Sequence, residues 1–176
     1  MKKQELAQQV YKAAYLRGEF KLRSGQTSQE YFDKYKFEGD PVLLGLIAEQ
    51  MTPLIPSGTE CLAGLEMGGI PIATSLSLIA KIPTSFVRKK AKDYGTEKLA
   101  EGSSISGRKV LVIEDVITTG GQVIESASAL KKLGAEITHV LCVIDREQGG
   151  REKLKSAGLE MISLFTMTDL KNSVAT

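Results

Sequence analysis

The sequence predicts an α/β fold with a central parallel sheet flanked by helices. From residue 60 onward, short apolar runs alternate with segments of helical spacing, and parallel strands need such crossover helices between them. The runs VLVI at 110–113 and VLCVI at 140–144 are apolar at every position, as expected of strands that helices cover on both faces. A length of 176 residues allows one substantial core and therefore indicates one domain.

The N-terminal part of the chain predicts two helices. Apolar residues recur every three or four positions over 3–17, which indicates an amphipathic helix that ends at Gly18. A short segment at 20–22 and a polar stretch at 24–30 follow. Asp40 before Pro41 is an N-cap and first-turn signal for a helix through about Met51.

In the rest of the chain, predicted strands alternate with predicted helices, and one long segment interrupts this alternation. The expected elements in chain order are strands at 61–65, 84–87, 110–113 and 140–144, helices at 70–80 and 122–133, and a last strand within 159–167. Between Arg88 and Arg108 no apolar period is visible. A structureless stretch of that length within a compact domain is normally functional or disordered, and we interpret 88–107 as a mobile lid.

Charge and hydropathy exclude several classes of protein. The formal net charge is only +2, so the whole molecule does not have the charge of a nucleic-acid binder. No apolar run approaches the ~20 residues of a membrane helix, and the N-terminus lacks the apolar core of a signal peptide. We therefore expect a cytoplasmic protein without nucleic-acid or membrane partners. Cys61 and Cys142 lie in apolar runs without a CxxC pattern, which predicts buried reduced thiols.

The most informative segment is VLVIEDVITTGGQ at 110–122. Gly120 and Gly121 allow a ligand to approach the backbone, and the following helix N-terminus offers amide hydrogens to a phosphate. Glu114 and Asp115 would lie at the carboxyl end of a parallel strand, where they could accept hydrogen bonds from ribose hydroxyls or hold a cation. The alternative is a plain turn with solvated acids, but it would bring like charges together without structural gain. The absence of GxxxxGK[ST] disfavours a nucleotide triphosphatase.

This segment resembles the phosphoribosyl pyrophosphate (PRPP) signature of the type I phosphoribosyltransferases. The resemblance implies that Glu114 and Asp115 contact the ribose hydroxyls, with Asp115 also taking a catalytic role. It also implies a fold with a central parallel sheet, a small N-terminal hood and a flexible lid loop. The positions implied for the rest of the PRPP loop are Val116, Ile117, Thr118, Thr119, Gly120, Gly121 and Gln122.

A second resemblance lies in FVRKKAKDYGTEKLAEG at 86–102, which is similar to the catalytic loop of orotate phosphoribosyltransferases. Its cationic start RKKAK would suit a lid over a leaving pyrophosphate, where charge develops as the bond breaks. Such a run is also found as solvated surface or as a nonspecific nucleic-acid patch. The resemblance implies a homodimer in which Arg88, Lys92 and Tyr94 serve the neighbouring subunit and Lys89 its own. Many relatives have His in place of Tyr94, and a phenol does not titrate near neutrality, so Lys92 is the expected catalytic cation.

A third segment, GLEMGGIP at 64–71, resembles the pyrophosphate loop of the family, although its glycines could simply be turn residues. The resemblance places four residues in that loop: Glu66, Met67, Gly68 and Gly69. We expect this loop to lie beside the PRPP loop at the same edge of the sheet.

The acceptor base is indicated by Arg146, which ends the strand at 140–144. A guanidinium grips a carboxylate with two parallel hydrogen bonds, and orotate is a base that carries one. In the resembling family Thr118 and Arg146 occupy orotate-contacting positions. The segment FKLRSGQTSQEYFDKYKF resembles the hood, with Tyr31 and Phe32 flanking the base and Arg23 contacting PRPP where a Lys is common.

Together these segments imply an orotate phosphoribosyltransferase of pyrimidine (UMP) biosynthesis that forms orotidine 5′-monophosphate and pyrophosphate. Magnesium would be bound mainly through PRPP and pyrophosphate oxygens, with no metal site made by the protein. The implied single domain has a hood at about 1–38, a core at about 39–176 and a lid at about 88–107. A transferase for another base and a PRPP-sensing regulator remain alternatives. Arg146 and the lid weigh against the first, and the absence of a DNA-binding module weighs against the second.

Overall fold

Two sheets organise the chain in the computed structural model, which describes residues 1–21, 25, 27–89 and 99–175. The elements in chain order are α1 (Lys3–Ala14), β1 (Tyr15–Lys21), β2 (Thr27–Phe32), α2 (Tyr35–Glu38), α3 (Pro41–Met51), a short 3₁₀ turn (Thr52–Leu54), β3 (Cys61–Leu65), α4 (Gly69–Ala80), β4 (Thr84–Val87), β5 (Ala100–Gly102), β6 (Val110–Ile117), α5 (Gly121–Lys132), β7 (His139–Asp145), α6 (Gly150–Ser156), β8 (Glu160–Thr166) and α7 (Met167–Asn172).

The larger sheet has the strand order β5-β4-β3-β6-β7-β8 within the described ranges. All neighbours in it are parallel except β5, which is antiparallel to β4. The parallel sheet predicted from the sequence is therefore confirmed, and β3 and β4 have the predicted bounds. The strand predicted at 110–113 is longer than expected, because its pairing with β7 continues to the partners Ile117 and Asp145.

The two faces of this sheet bury separate apolar clusters. Alternate side chains of a strand point to opposite faces, so Leu62 and Leu111 join one cluster while Cys61 and Val110 join the other. Helices α1, α3, α4 and α7 cover the first face, and α5 and α6 cover the second. Both cysteines are free and fully buried, as predicted. No helix within the described ranges is both long and apolar enough to cross a membrane.

The N-terminal region differs from its prediction. The helix predicted over 3–17 ends at Ala14, because the next residues pair with Phe32 and its neighbours in an antiparallel hairpin of β1 and β2. The segment expected at 20–22 is the end of β1, and the stretch expected to be merely polar at 24–30 contains the start of β2. The hairpin was missed because most of its side chains are exposed and polar, so they show no apolar alternation.

Helix α3 follows its prediction closely. The Asp40 side chain accepts hydrogen bonds from the Val42 and Leu43 amides at 2.9 and 3.0 Å, and Pro41 occupies the first turn. These contacts satisfy amide groups that the helix itself leaves unpaired. The cap predicted from the sequence is therefore present at the start of this helix.

Part of the stretch interpreted as a lid, 88–107, is described by the structure, and this part forms regular contacts. Residues 90–98 lie outside the described residues. Beyond them, β5 pairs with β4, the Arg88 amide donates to the Leu99 carbonyl at 2.9 Å, and Ile105 is buried in the core. Edge-strand pairing and one apolar anchor organise this second half, and neither gives a periodic pattern.

Candidate active site

Four parallel strands bring the expected functional segments to one edge of the sheet. Strands β3, β4, β6 and β7 are parallel neighbours, so their carboxyl ends open on the same side, where sheets of this kind bind ligands. The pyrophosphate loop follows β3, Arg88 and Lys89 follow β4, the PRPP loop ends β6, and Arg146 follows β7. The structure therefore collects the described candidate segments at one site.

The PRPP loop has an accessible rim and a buried floor. Asp115 is fully buried and Glu114 partly buried, whereas Thr118 and Thr119 are exposed. Gly120 adopts a φ of 73°, a left-handed conformation that favours glycine, and no side chain from the described residues caps α5 behind it. The first amides of α5 are therefore oriented as an anion site at a helix N-terminus.

The floor of the loop contains an ion pair that the sequence did not suggest. Lys34 Nζ lies 2.5 Å from Asp115 Oδ2. Glu38, one helical turn further along, is buried beside the same carboxylate, and its Oε1 has no hydrogen-bond partner among the described residues. An ionised carboxylate only accepts, but a protonated Glu38 can donate to Asp115. Lys34, which precedes α2, and Glu38, at the end of α2, therefore lie on the buried Asp115 carboxylate.

These contacts shift the acidities of the group. Burial, followed by the neighbouring Asp115, raises the pKa of Glu38 to about 8. The same two causes raise the pKa of Glu114 well above its ordinary value. Burial alone would raise the pKa of Asp115, but hydrogen bonds from Glu114 and the Lys34 ammonium lower it. Asp115 is thus the carboxylate that stays ionised.

We expect Glu38→Gln to remove a pH dependence of the free energy of unfolding. The folded-state pKa of about 8 exceeds the ordinary 4.5, so the folded protein holds this proton more tightly than the unfolded chain does. The associated stability is fully present below about pH 4.5 and is lost as the pH rises through about 8. Wild type should therefore lose stability relative to Glu38→Gln across this window.

Denaturant unfolding at about pH 5, 7 and 9 measures this difference. The exposed acid Glu49 on α3 supplies the matched control, Glu49→Gln, which should show no such trend. A difference between wild type and Glu38→Gln that stays constant over the three pH values would contradict the expectation.

The pyrophosphate loop packs directly on the PRPP loop. A Cβ on Gly68 would lie 1.6 Å from Asp115 Oδ2 and 2.8 Å from Glu38 Oε1, and one on Gly69 would lie 2.4 Å from the Ile113 carbonyl oxygen. Only residues without a side chain fit these places. Met67 between the loop ends is exposed, so the two loops share one buried floor beneath an open surface.

Lys89, which follows β4, contacts this loop through its backbone amide. The Lys89 amide donates to Glu66 Oε1 at 2.6 Å. Arg88 is partly buried, and its Nε finds no hydrogen-bond partner in the part of the chain that the structure describes. Glu66 thus links the pyrophosphate loop to the start of the lid. Lys92 and Tyr94 fall outside the described residues, as does Arg23 of the hood.

Arg146 lies between the PRPP loop and the hairpin. Its amide donates to the Ile117 carbonyl at 2.9 Å, and its guanidinium carbon lies 6.0 Å from the centre of the Phe32 ring. Both residues line a cavity of about 310 Å³ together with Tyr31. Tyr31 is exposed and stacks on Phe20 at 5.4 Å, so Phe32 is the aromatic ring that faces the arginine. The Arg146 Nε is buried without a partner among the described residues.

Sequence reasoning missed three charged residues at this site. Lys34 and Glu38 have a spacing of four, but α2 is too short to give a periodic signal. Lys153 on α6 lies with its Nζ 3.4 Å from the place that a Cβ on Gly121 would take. This cation beside the start of α5 depends on the packing of α6 against the loop, which no local pattern reveals.

Comparison with known proteins gives the same assignment over most of the chain. Residues 47–165 match the family described as phosphoribosyl transferase domain. An orotate phosphoribosyltransferase of a Nocardioides species is 51% identical over 165 residues, which cover 94% of this chain and 92% of that protein.

Solved structures agree with the sequence relatives. The orotate phosphoribosyltransferase of Mycobacterium tuberculosis H37Rv in complex with Fe(III) dicitrate superposes with a TM-score of 0.85 at 31% identity, covering 96% of this chain and 98% of that one. The same enzyme in complex with PRPP gives a TM-score of 0.82 at 30% identity, with the same coverage. The chain belongs to the phosphoribosyl transferase domain family and, within it, to the orotate phosphoribosyltransferases.

Proposed function

We propose that the protein transfers the phosphoribosyl group of PRPP to orotate, forming orotidine 5′-monophosphate and pyrophosphate in pyrimidine biosynthesis. The observation that carries the proposal is the position of Arg146. Its amide is hydrogen-bonded to the Ile117 carbonyl of the PRPP loop, while its guanidinium faces the Phe32 ring. A cation next to an aromatic surface suits a flat base that carries a carboxylate.

The reaction needs no protein nucleophile. A ring nitrogen of orotate attacks the ribose C1, the bond from C1 to the pyrophosphate oxygen breaks, and the electron pair leaves with pyrophosphate. The proton of the attacking nitrogen is released to pyrophosphate or to water. Glu114 and Asp115 hold the ribose hydroxyls, and the exposed Thr118 and Thr119 with the first amides of α5 hold the 5-phosphate. The protein therefore contributes orientation and charge stabilisation rather than a covalent intermediate.

In this proposal, two groups of residues would contact the leaving pyrophosphate from opposite sides. The backbone of the pyrophosphate loop, residues 66–69, lies on one side, and the lid cations Arg88, Lys89 and Lys92 approach from the other. A cationic lid stabilises the charge that develops on pyrophosphate and excludes water from C1. Arg23 would add a further cation from the hood.

Magnesium fits this site as an ion carried by the substrate. Apart from the buried Asp115, which is paired with Lys34, the loops offer the carboxyl oxygens of Glu66 and Glu114, and such oxygens suit a hard cation. No group of three or more acidic, His or Cys side chains among the described residues is arranged to hold a metal, so substrate oxygens would supply most of the ligands. When bound, the ion would neutralise charge on the diphosphate.

We propose a homodimer with the lid shared across the interface. Four apolar side chains on α3, α4 and β4 are exposed, and a contact between subunits through these elements would remove them from water. The residues concerned and their exposed fractions are Val42 at 66%, Leu78 at 68%, Ile79 at 41% and Phe86 at 37%.

Mixing Lys92→Ala with Arg146→Ala subunits should restore activity if the lid works in the neighbouring site. Each variant alone is expected to be nearly inactive. Random mixing makes half of the dimers mixed, and one site of each mixed dimer is intact, so about a quarter of wild-type activity should return. Separately purified mixed dimers without activity would contradict a shared site, and mixing two samples of the same variant is the control.

The test of the function is the loss of orotate absorbance with PRPP and magnesium, with adenine, hypoxanthine and uracil run in parallel. Turnover of orotate alone is the expected result. Turnover of another base would make the protein a transferase with a different acceptor, and binding of PRPP without any turnover would favour a regulator.

The remaining assignments follow from this function. We propose that the chain works as one domain, with the hood at about 1–38 over a core at about 39–176, and that it acts in the cytoplasm. The two buried free thiols support a reducing compartment. Small substrates, rather than nucleic acid or membrane, are its proposed partners.

A further inference from the structure

The turn that carries Arg146 is held in place by its two acidic neighbours. Asp145, at the end of β7, is buried, and its Oδ1 accepts a hydrogen bond from the Glu147 amide at 2.8 Å. This bond closes a tight loop around Arg146, whose own amide is bound to the PRPP loop. The backbone of Arg146 is therefore fixed from both sides.

Glu147 has an unusual backbone conformation. Its φ is 57°, the left-handed region that non-glycine residues seldom adopt. Such a conformation persists where surrounding contacts determine it. In this turn the determining contacts are the bond from the Glu147 amide to Asp145 and those of the Glu147 side chain.

The Glu147 carboxylate is bound to the start of α7. Its Oε2 accepts from the Thr168 amide at 2.8 Å and from the Thr168 hydroxyl at 2.6 Å. Both bonds involve an ionised acceptor, which strengthens them. The neighbouring residue Met167 lines the same cavity as Arg146. The carboxylate thus connects the turn that carries Arg146 to Met167, on another wall of the cavity that Arg146 and Phe32 line.

A second tether secures Asp145. Arg151 donates to Asp145 Oδ2 at 3.1 Å, to Ser163 Oγ at 3.2 Å and to the Met161 carbonyl at 2.7 Å. The guanidinium therefore anchors the start of the turn to the edge strand β8. At the other end of the turn, the Glu147 side chain is held by its two hydrogen bonds from Thr168.

We propose that Glu147 is a positioning residue that sets the affinity for the base carboxylate by holding Arg146 in place through Thr168. The proposal rests on the proposed function. Arg146 has a long flexible side chain, so a base that needs two parallel hydrogen bonds gains from a fixed backbone beneath it. Loosening the turn should weaken orotate binding and leave PRPP binding unchanged.

Two variants separate the tether from backbone strain. Glu147→Ala removes the carboxylate and keeps the strained conformation, whereas Glu147→Gly removes the carboxylate and tolerates that conformation. Both should raise the KM for orotate by about tenfold, the effect of one lost charge-assisted contact. The KM for PRPP and the melting temperature should change little. Glu147→Gln retains an acceptor oxygen and should restore most of the affinity.

The control is Glu152→Ala on α6, which removes a nearby exposed carboxylate that is outside the turn. A double-mutant cycle adds a readout that a general structural role would not give. In the Arg146→Ala background, Glu147→Gly should have no further effect on kcat/KM for orotate, because its action passes through Arg146.

An unchanged KM for orotate in Glu147→Gly, or equal rises in the KM values for orotate and PRPP, would overturn the positioning role. A full further loss in the Arg146→Ala background would also overturn it. These outcomes require wild type that consumes orotate. Wild type that consumes a different base would instead overturn the proposed function.

Discussion

Replacing Arg146 with alanine is expected to lower kcat/KM for orotate by about 100- to 1,000-fold, the usual effect of truncating one partner of a buried charge pair. The guanidinium lies 6.0 Å from the Phe32 ring and its Nε is buried without a partner among the described residues. In the proposed complex the substrate carboxylate is that partner. The loss should appear mainly as a higher KM for orotate, while the KM for PRPP stays close to wild type.

Arg146→Lys is the matched variant for this prediction. It keeps the charge and loses the planar fork, so it should recover part of the affinity. Steady-state assays that vary each substrate separately, with melting temperatures as a check on folding, measure the effect. An Arg146→Ala protein whose kcat/KM for orotate remains within about threefold of wild type would show that the carboxylate is bound elsewhere.

Gly68→Ala is expected to abolish most activity towards any base. The added methyl group would lie 1.6 Å from Asp115 Oδ2 and 2.8 Å from Glu38 Oε1, so the Asp115 carboxylate or the whole pyrophosphate loop must move. Displacement of catalytic groups by about 1 Å is enough to reduce rates about 100-fold. The affinity for PRPP should fall together with kcat, because in the proposed complex the ribose and the pyrophosphate are both bound above this floor.

Gly45→Ala provides the control for adding a methyl group. Gly45 lies inside α3, and a Cβ there meets nothing within 4 Å. This variant should be fully active and about 0.5–1 kcal/mol more stable, as alanine is in a helix interior. Titration with PRPP and thermal unfolding distinguish a displaced loop from a failure to fold. Folded Gly68→Ala protein with wild-type affinity for PRPP would contradict the shared floor.

Local sequence signals predicted the elements whose causes are local. The start of α3 was predicted because Asp40 and Pro41 act on their own helix. The strands β3 and β7 were predicted because helices cover both faces of the sheet, which requires uninterrupted apolar runs. The β1–β2 hairpin was not predicted, since it exposes polar side chains on both faces and its pairing is visible only in three dimensions.

At the candidate site, too, the features with a local sequence signal could be predicted and those that depend on distant contacts could not. The sequence predicted the position of the PRPP segment at the sheet edge because its acids, threonines and glycines are contiguous, and that of Arg146 because it directly follows a strand, while their binding roles stay predictions. The contacts of Lys34 and Glu38 with Asp115 join residues about eighty positions apart. The tether from Glu147 to Thr168 likewise depends on where α7 returns to the sheet. Such contacts follow from the packing of distant elements, and no spacing rule predicts them.

The two buried cysteines have a practical consequence for these measurements. Burial raises the pKa of the Cys61 thiol and raises that of Cys142 well above its ordinary value. Because only the thiolate reacts with alkylating and oxidising reagents, both sulfurs are protected while the chain is folded. Both thiols lie in the apolar cluster beneath α5 and α6, so their labelling by a thiol reagent requires that this face of the sheet opens. The rate of labelling therefore measures how often that opening occurs, and no cysteine has to be introduced for the measurement.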